Sequence, residues 1–210
     1  VKILLGVNNF CVAGAQKLVA DYLNNFDAEK YELALLTFFQ KKNEADFFDL
    51  LPSHVKNYKL DFKSFYDPKN WFLTYEILRE YDPEVVLSHL FFSNTVLRML
   101  KPFFRYRIII YEHNIYRNKT RLKILADRLL AHLTHKIIAD SESVKKFTIA
   151  QEKINPQKFT VIPCAINYRD IQLALGKHDR DSLKEQLGFQ KEDRLILNAA
   201  RLVEQKNHQL

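Results

Sequence analysis

The stretch RIIIYEHN, Arg107–Asn114, places a short apolar run directly before three polar residues. Its run 108–111 is β-branched and aromatic, which is typical of a buried strand. Glu112, His113 and Asn114 follow where that strand should end. Ligands of open parallel sheets bind outside the carboxyl ends of the strands. The stretch therefore predicts a parallel sheet whose edge carries a functional site.

The same pattern recurs along the chain, where short apolar runs alternate with amphipathic segments of helical period. We predict strands over 2–7, 31–38, 55–61, 84–90, 107–114, 136–141 and 159–166. We predict helices over 15–26, 44–51, 68–81, 93–103, 120–134 and 142–153. Pro68 suits the first turn of one helix, and Ser93 is a candidate N-cap of another. The alternation indicates an α/β fold with a doubly wound, mostly parallel, Rossmann-like sheet.

The sequence becomes polar and charged after residue 166. We predict one domain over 1–166, a polar connector with a short helix over 167–190, and the start of a second domain over 191–210. The apolar run 193–202 is expected to be the first strand of that second domain. Without the other strands of its sheet, we expect this run to be poorly packed, or to join the first domain or a neighbouring chain.

Composition restricts the class of protein. With 210 residues, 47% of them hydrophobic, the chain can bury a sizeable core, and its 4 glycines and 6 prolines argue against a fibrous or low-complexity protein. No apolar run reaches the length of a membrane span. Cys11 and Cys164 are the only cysteines, and no His/Cys spacing is typical of zinc sites. These features predict a reduced, cytoplasmic protein without a structural metal.

The positive charge is concentrated in one segment. Residues 98–136 contain 10 Lys and Arg against 2 Asp and Glu, whereas the whole chain has a net charge of +7. Such a segment favours anionic partners, and a solvated basic face is an equally good interpretation. Its cations alternate with Phe103, Phe104 and Tyr106, which suits an anionic membrane surface and peripheral binding to its inner face. Nucleic acid is disfavoured because no aromatic RNA-binding signature accompanies the charge.

Several predicted strands end in polar side chains. Asn9 follows the first, His89 ends the fourth, Glu112 and Asn114 end the fifth, and Ser141 follows the sixth. These residues are predicted to gather at one edge of the sheet and to line a binding site there. His113 is the strongest candidate for a functional role. For His89 alone, a buried, hydrogen-bonded structural histidine is the favoured interpretation.

The loop before Gly14 is a candidate phosphate site. Small residues open a helix there, and the free N–H groups of a helix N-terminus attract anions. The loop lacks the glycine pattern of a dinucleotide-binding fingerprint, and the second strand ends in apolar residues. A nicotinamide-binding domain is therefore disfavoured.

Taken together, the segments VNNFCVAGAQKLVADYL, DPEVVLSHL, YEHN, HKIIADSESVKKF, FTVIPCAIN and ILNAARLVEQKNHQL resemble retaining glycosyltransferases of family 4. The resemblance covers essentially the whole chain and implies the acceptor-side half of a two-domain GT-B fold. It implies that Gly14, Arg201 and Lys206 bind the donor diphosphate and that His113 lies at the transferred sugar. It also implies a nucleotide-sugar donor, a glycan or lipid-linked acceptor, and no metal or other cofactor.

The chain departs from the family pattern at several positions. Ala13 stands where a first glycine is usual, and Cys164 replaces the usual Asn after Pro163. Two alternatives stay open: a sugar-nucleotide epimerase of the same fold, and a non-enzymatic module that binds through the basic segment. We expect the 210 residues alone to be inactive, because the resemblance places most of the donor site in the second domain.

Overall fold

The computed structural model describes residues 1–41, 43–166, 168–176, 179–200 and 202. The strands are β1 (Lys2–Val7), β2 (Glu32–Thr37), β3 (Lys56–Lys59), β4 (Val85–His89), β5 (Arg107–Glu112), β6 (Lys136–Ala139) and β7 (Phe159–Val161). The helices are α1 (Gly14–Asn25), α2 (Pro68–Tyr81), α3 (Phe91–Leu100), α4 (Arg121–Leu130), α5 (Glu142–Glu152), α6 (Tyr168–Leu175) and α7 (Arg180–Gln186). Among the described residues, no helix is long and apolar enough to cross a membrane.

All seven strands form one sheet in the order β3-β2-β1-β4-β5-β6-β7, and every neighbouring pair is parallel. The prediction of a doubly wound, parallel α/β sheet is confirmed. The strand order reverses between β1 and β4, so the chain leaves these two neighbouring strands in opposite directions. Such a reversal opens a crevice at the carboxyl edge of a sheet, where ligands of this architecture bind.

Side chains on alternate strand positions form two cores, one on each face of the sheet. Leu5 of β1 and Leu35 of β2 pack with Leu23 of α1 on one face. Helices α2, α3 and α5 cover the other face, where the buried residues include Leu78, Leu97 and Val144. The central strands β1 and β2 are therefore held by burial on both faces, as their continuous apolar sequences predicted, whereas the edge strand β3 is mostly exposed.

Two local predictions need correction. The predicted helix over 44–51 is reduced to a three-residue 3-10 turn, Phe48–Leu50. Helix α3 begins at Phe91 with Leu90 at the N-cap, so Ser93 lies inside the helix and does not cap it. The Ser93 hydroxyl instead lies 2.7 Å from the hydroxyl of Ser88 in β4. Helix α3 starts two residues earlier than predicted because the Asn8 side chain, from the loop after β1, accepts a hydrogen bond from the Ser93 N–H in its first turn.

The chain separates into two compact units, Val1–Cys164 and Ala165–Leu210. In the second unit, Asp179 is the N-cap of α7, and its carboxylate accepts a hydrogen bond from the Ser182 N–H at 2.8 Å. The predicted strand over 193–202 is not formed in its described residues, and Ile196 is 99% exposed. A strand needs neighbours to satisfy its backbone, so the expectation of poor packing is confirmed. The roles assigned to 1–166, 167–190 and 191–210 stay predictions.

Candidate functional site

Three aromatic rings stack at the carboxyl edge of β4 and β5. The ring of Tyr111 lies parallel to that of His113, with centroids 4.5 Å apart, and to that of His89, with centroids 5.3 Å apart. The Nδ1 atom of His89 and the Nε2 atom of His113 are 3.0 Å apart, within hydrogen-bond distance. Strand pairing places His89 beside Val7 of β1 as well as beside Tyr111 of β5. The stack therefore sits next to the reversal of strand order.

Burial keeps both histidines neutral. Loss of hydration lowers the pKa of His113 to about 4, and it lowers the pKa of the fully buried His89 well below its ordinary value. A neutral imidazole has one N–H donor and one acceptor nitrogen. The hydrogen bond between the two rings therefore orients His113 and leaves its second nitrogen free to act on a bound group.

Glu112 belongs to the opposite face of the sheet, because successive side chains of a strand alternate. There it joins a buried charge cluster made up of Arg98, Glu112, Lys119, Asp127 and Glu152. Burial raises the pKa of Glu112 to about 7; Glu152 and Asp127 add to the rise, while Lys119 and Arg98 oppose it. Glu112 is thus adjacent to His113 in sequence but is separated from it by the strand.

The buried charge cluster ties three helices together. Asp127 of α4 forms ion pairs with Arg98 of α3 and with Lys119, whose Nζ lies 2.7 Å from its carboxylate. Lys119 also pairs with Glu152 of α5. Lys119 lies on the loop that leaves His113, so the cluster anchors that loop. Arg98 is fully buried, which corrects its assignment to an exposed basic segment.

The side chain of Asn9 holds the loop after β1 in place through hydrogen bonds. Asn9 Oδ1 accepts hydrogen bonds from the Cys11 N–H, at 3.3 Å, and from Gln16 Nε2, at 3.1 Å. Helix α1 then begins at Gly14, and Ala13 at its N-cap offers no side-chain acceptor to the free N–H groups. No atom lies within 4 Å of a Cβ placed on Gly14. The helix N-terminus is therefore open to an anion.

Two features of the switch point were not predicted from the sequence: the contact that Asn8 makes with α3 and the backbone conformation of Leu90. The Ser93 N–H donates to Asn8 Oδ1 at 3.0 Å, so a side chain from the β1 loop bonds the start of α3. Leu90, between His89 and α3, has φ 71° and ψ 154°, a backbone conformation normally restricted to glycine. Such strain is held only where its surroundings impose it, and it marks the turn beside His89 as a functional position. The NN pair after β1 was the available signal for Asn8.

The remaining predicted residues do not join the ring stack. Asn114 is exposed on the following loop. The Ser141 hydroxyl accepts the Val144 N–H at 3.2 Å and so caps α5. Arg201 and Lys206 lie outside the described residues. Their assignment to acceptor or donor stays a prediction.

A second group of side chains meets at the same edge. Among the described residues, His113, Asp140 and Cys164 each bring one possible ligand atom to within 4.8 Å of the other two. They follow β5, β6 and β7, so only the folded sheet brings them together.

Comparison with known proteins identifies a family and a fold. A sequence model described as Glycosyltransferase Family 4 matches residues 12–170. No curated protein matches the chain. Among solved structures, HepE of Anabaena in complex with UDP superposes with a TM-score of 0.68 at 16% identity, over 90% of this chain and 50% of that one.

Two further structures cover the same region. The lipopolysaccharide outer core galactosyltransferase WaaB, in its apo form, gives a TM-score of 0.60 at 12% identity, over 80% of this chain and 46% of its own. A UDP-N-acetylglucosamine 2-epimerase from Rickettsia bellii gives 0.59 at 14% identity, over 90% and 51%. The chain thus spans about half the length of these proteins, and at such identities the likeness shows the fold alone.

Proposed function

Because the chain belongs to Glycosyltransferase Family 4, we propose that the full-length protein transfers a sugar, with retention, from a UDP- or GDP-linked donor to a glycan or lipid-linked acceptor. The observation that carries the proposal is the neutral His89–His113 pair at the carboxyl edge of the sheet, the edge from which the chain also enters the uncapped N-terminus of α1. The complexes of HepE with UDP and with UDP-glucose support a nucleotide-sugar donor.

In this proposal the donor diphosphate lies at the N-terminus of α1. Departure of a nucleoside diphosphate builds up negative charge on its phosphates, and backbone N–H groups fixed in place stabilise that charge. Gly14 allows the phosphates to approach the backbone, because no side chain fills the space. Arg201 and Lys206 are proposed to supply cations to the same diphosphate. The step then requires no metal ion.

His113 is proposed to contact the transferred sugar. Its imidazole is neutral, so it accepts or donates a hydrogen bond to a sugar hydroxyl without placing a second charge in the crevice. His89 is a positioning residue, since it is fully buried and acts through its hydrogen bond to His113. Asn9, Glu112, Asn114 and Ser141 remain acceptor-side candidates, with Glu112 the weakest because it faces the other side of the sheet.

A membrane-facing surface would bring the crevice to a lipid-linked acceptor. Leu122, Leu125 and Leu129 of α4 are 76%, 48% and 59% exposed, and their spacing places them on one face of the helix. Arg121 and Lys123 are exposed on the same helix. An apolar stripe flanked by cations favours peripheral binding to anionic lipid, at the cytoplasmic face of a membrane.

The proposal is tested with the full-length enzyme and the variant His113→Ala. We expect turnover of a UDP- or GDP-sugar by the folded variant, in the presence of acceptor, to fall by about 10²-fold or more, a larger effect than the loss of stability from leaving the buried His89 ring without its partner. His132→Ala is the matched control, because His132 is exposed and precedes β6, at the opposite edge of the sheet from His113. Unchanged turnover in folded His113→Ala would remove His113 from the mechanism.

Analysis of the products separates the alternatives. NMR of the glycoside should show the anomeric configuration of the donor. Conversion of the free sugar nucleotide to its epimer without any acceptor would instead establish the epimerase, a fold that the Rickettsia bellii structure shares. Salt-sensitive binding of nucleic acid with no turnover would favour the basic binding module.

A further inference from the structure

The carboxyl ends of β5, β6 and β7 bring together three metal-binding side chains of different chemistry. Possible ligand atoms of His113, Asp140 and Cys164 all lie within 4.8 Å of one another. The strand register explains the meeting, because Glu112 pairs with Ala139 and Ala139 pairs with Val161. Each ligand follows the end of its strand by one to three residues. We propose that this edge binds one divalent transition-metal ion of the Zn²⁺ class.

The donor set selects the class of ion. An imidazole nitrogen, a thiolate and a carboxylate are ligands for zinc and its neighbours, whereas magnesium and calcium prefer oxygen alone. Tetrahedral coordination with bonds of about 2.0–2.3 Å places ligand atoms about 3.3–3.8 Å apart. The spacing of up to 4.8 Å therefore requires a closure of about 1 Å. Cys164 is exposed, so its side chain is free to make that movement.

Contacts around two of the ligands hold the His113 ring and the Cys164 loop in place. The Nε2 atom of His113 is engaged with His89, which leaves Nδ1 as the nitrogen for the ion. A hydrogen-bond partner on the other ring nitrogen sets the tautomer of a ligating histidine. The Tyr111 hydroxyl donates to the Ile162 carbonyl at 2.7 Å and lies 3.9 Å from Cys164 Sγ, so it holds the Cys164 loop against β5.

The proposed metal site depends on the folded sheet and not on a local sequence motif. The ligands are 27 and 24 residues apart along the sequence, which is why no zinc spacing is visible. Three protein ligands leave one coordination position for water or another ligand. The same edge carries His113, which is proposed to contact the transferred sugar. A bound ion and a bound sugar would therefore compete for the His113 ring. Only this competition rests on the proposed function.

Titration with Co²⁺ tests the site by its spectrum. We expect the full-length protein to develop thiolate-to-cobalt absorption, which Zn²⁺ should abolish by displacement. Cys164→Ser should remove the thiolate band, and Asp140→Asn and His113→Ala should weaken Co²⁺ binding by about tenfold or more. Cys11→Ser, at a buried cysteine, and His132→Ala, at an exposed histidine, are the matched controls and should leave the titration unchanged.

Accessibility of the thiol provides a second measurement. Zn²⁺ should protect Cys164 from alkylation, read by peptide mass spectrometry, and Asp140→Asn should reduce the protection. The absence of a thiolate band in the folded protein would overturn the proposal. So would a band that survives in Cys164→Ser, or an equal loss of binding in His132→Ala. Both experiments measure metal binding, so their outcomes do not depend on whether the protein transfers a sugar.

Discussion

Removal of Asp127 should destabilise the protein far more than removal of an exposed acid. Asp127 is 2% exposed, and it pairs with Arg98, which is fully buried. In Asp127→Ala the Arg98 guanidinium keeps only its bond to the Asn94 carbonyl, at 2.8 Å from Nε. The variant therefore leaves a charge in the core without its counterion.

The magnitude follows from the charges that remain. Removal of one partner of a buried ion pair lowers the free energy of unfolding by about 3–5 kcal/mol. In the variant, Lys119 keeps Glu152 as a partner. Glu112, whose pKa is about 7, can ionise more fully when a neighbouring negative charge is lost. We therefore expect a loss of about 3 kcal/mol in the free energy of unfolding near neutral pH, at the lower end of that range.

Urea denaturation followed by circular dichroism measures this loss. Glu76→Ala is the matched control, because Glu76 pairs with Arg79 on the surface of α2 and such pairs contribute less than about 1 kcal/mol. The double variant Arg98→Met/Asp127→Leu should recover much of the loss, since it removes both charges. The reasoning is refuted if Asp127→Ala unfolds at the same urea concentration as the Glu76→Ala control.

Two further variants test the packing of the sheet and the proposed membrane surface. Gly6→Ala should lower the free energy of unfolding by about 1–3 kcal/mol, because its Cβ would lie 2.5 Å from Leu97 Cδ1. Gly14→Ala, in open space, should melt like the unaltered protein, and equal melting of the two variants would contradict the packing argument. Leu122→Ser/Leu125→Ser should reduce co-sedimentation with anionic vesicles, and binding by the unaltered protein should fall as salt rises. Equal binding to neutral and anionic vesicles would argue against the basic face of α4.

The fold and the position of the site could be predicted from local sequence. Apolar runs that alternate with helical segments determine a parallel α/β sheet, because each run must be buried on both faces. Polar residues after those runs must then gather at one edge. The ends of α2 and of β1 were predicted for the same reason: proline, glycine and periodicity act over a few neighbouring residues.

Some errors had a signal that was available. Glu112 and His113 are consecutive on a strand, and a period of two already places their side chains on opposite faces. Residues 98–136 contain only two acidic residues, Glu112 and Asp127, and both are buried in the charge cluster. An isolated acid among many cations is a sign that some of those cations are paired.

Other features depend on contacts between distant parts of the chain. Nothing near Arg98 in sequence indicates that a guanidinium will be buried against α4 and α5. The His89–His113 hydrogen bond, and the meeting of His113 with Asp140 and Cys164, exist only after β4 to β7 align in register. Local sequence determines which residues reach the carboxyl edge, but strand order and register decide which of them touch, because those contacts are made across strands and not along them.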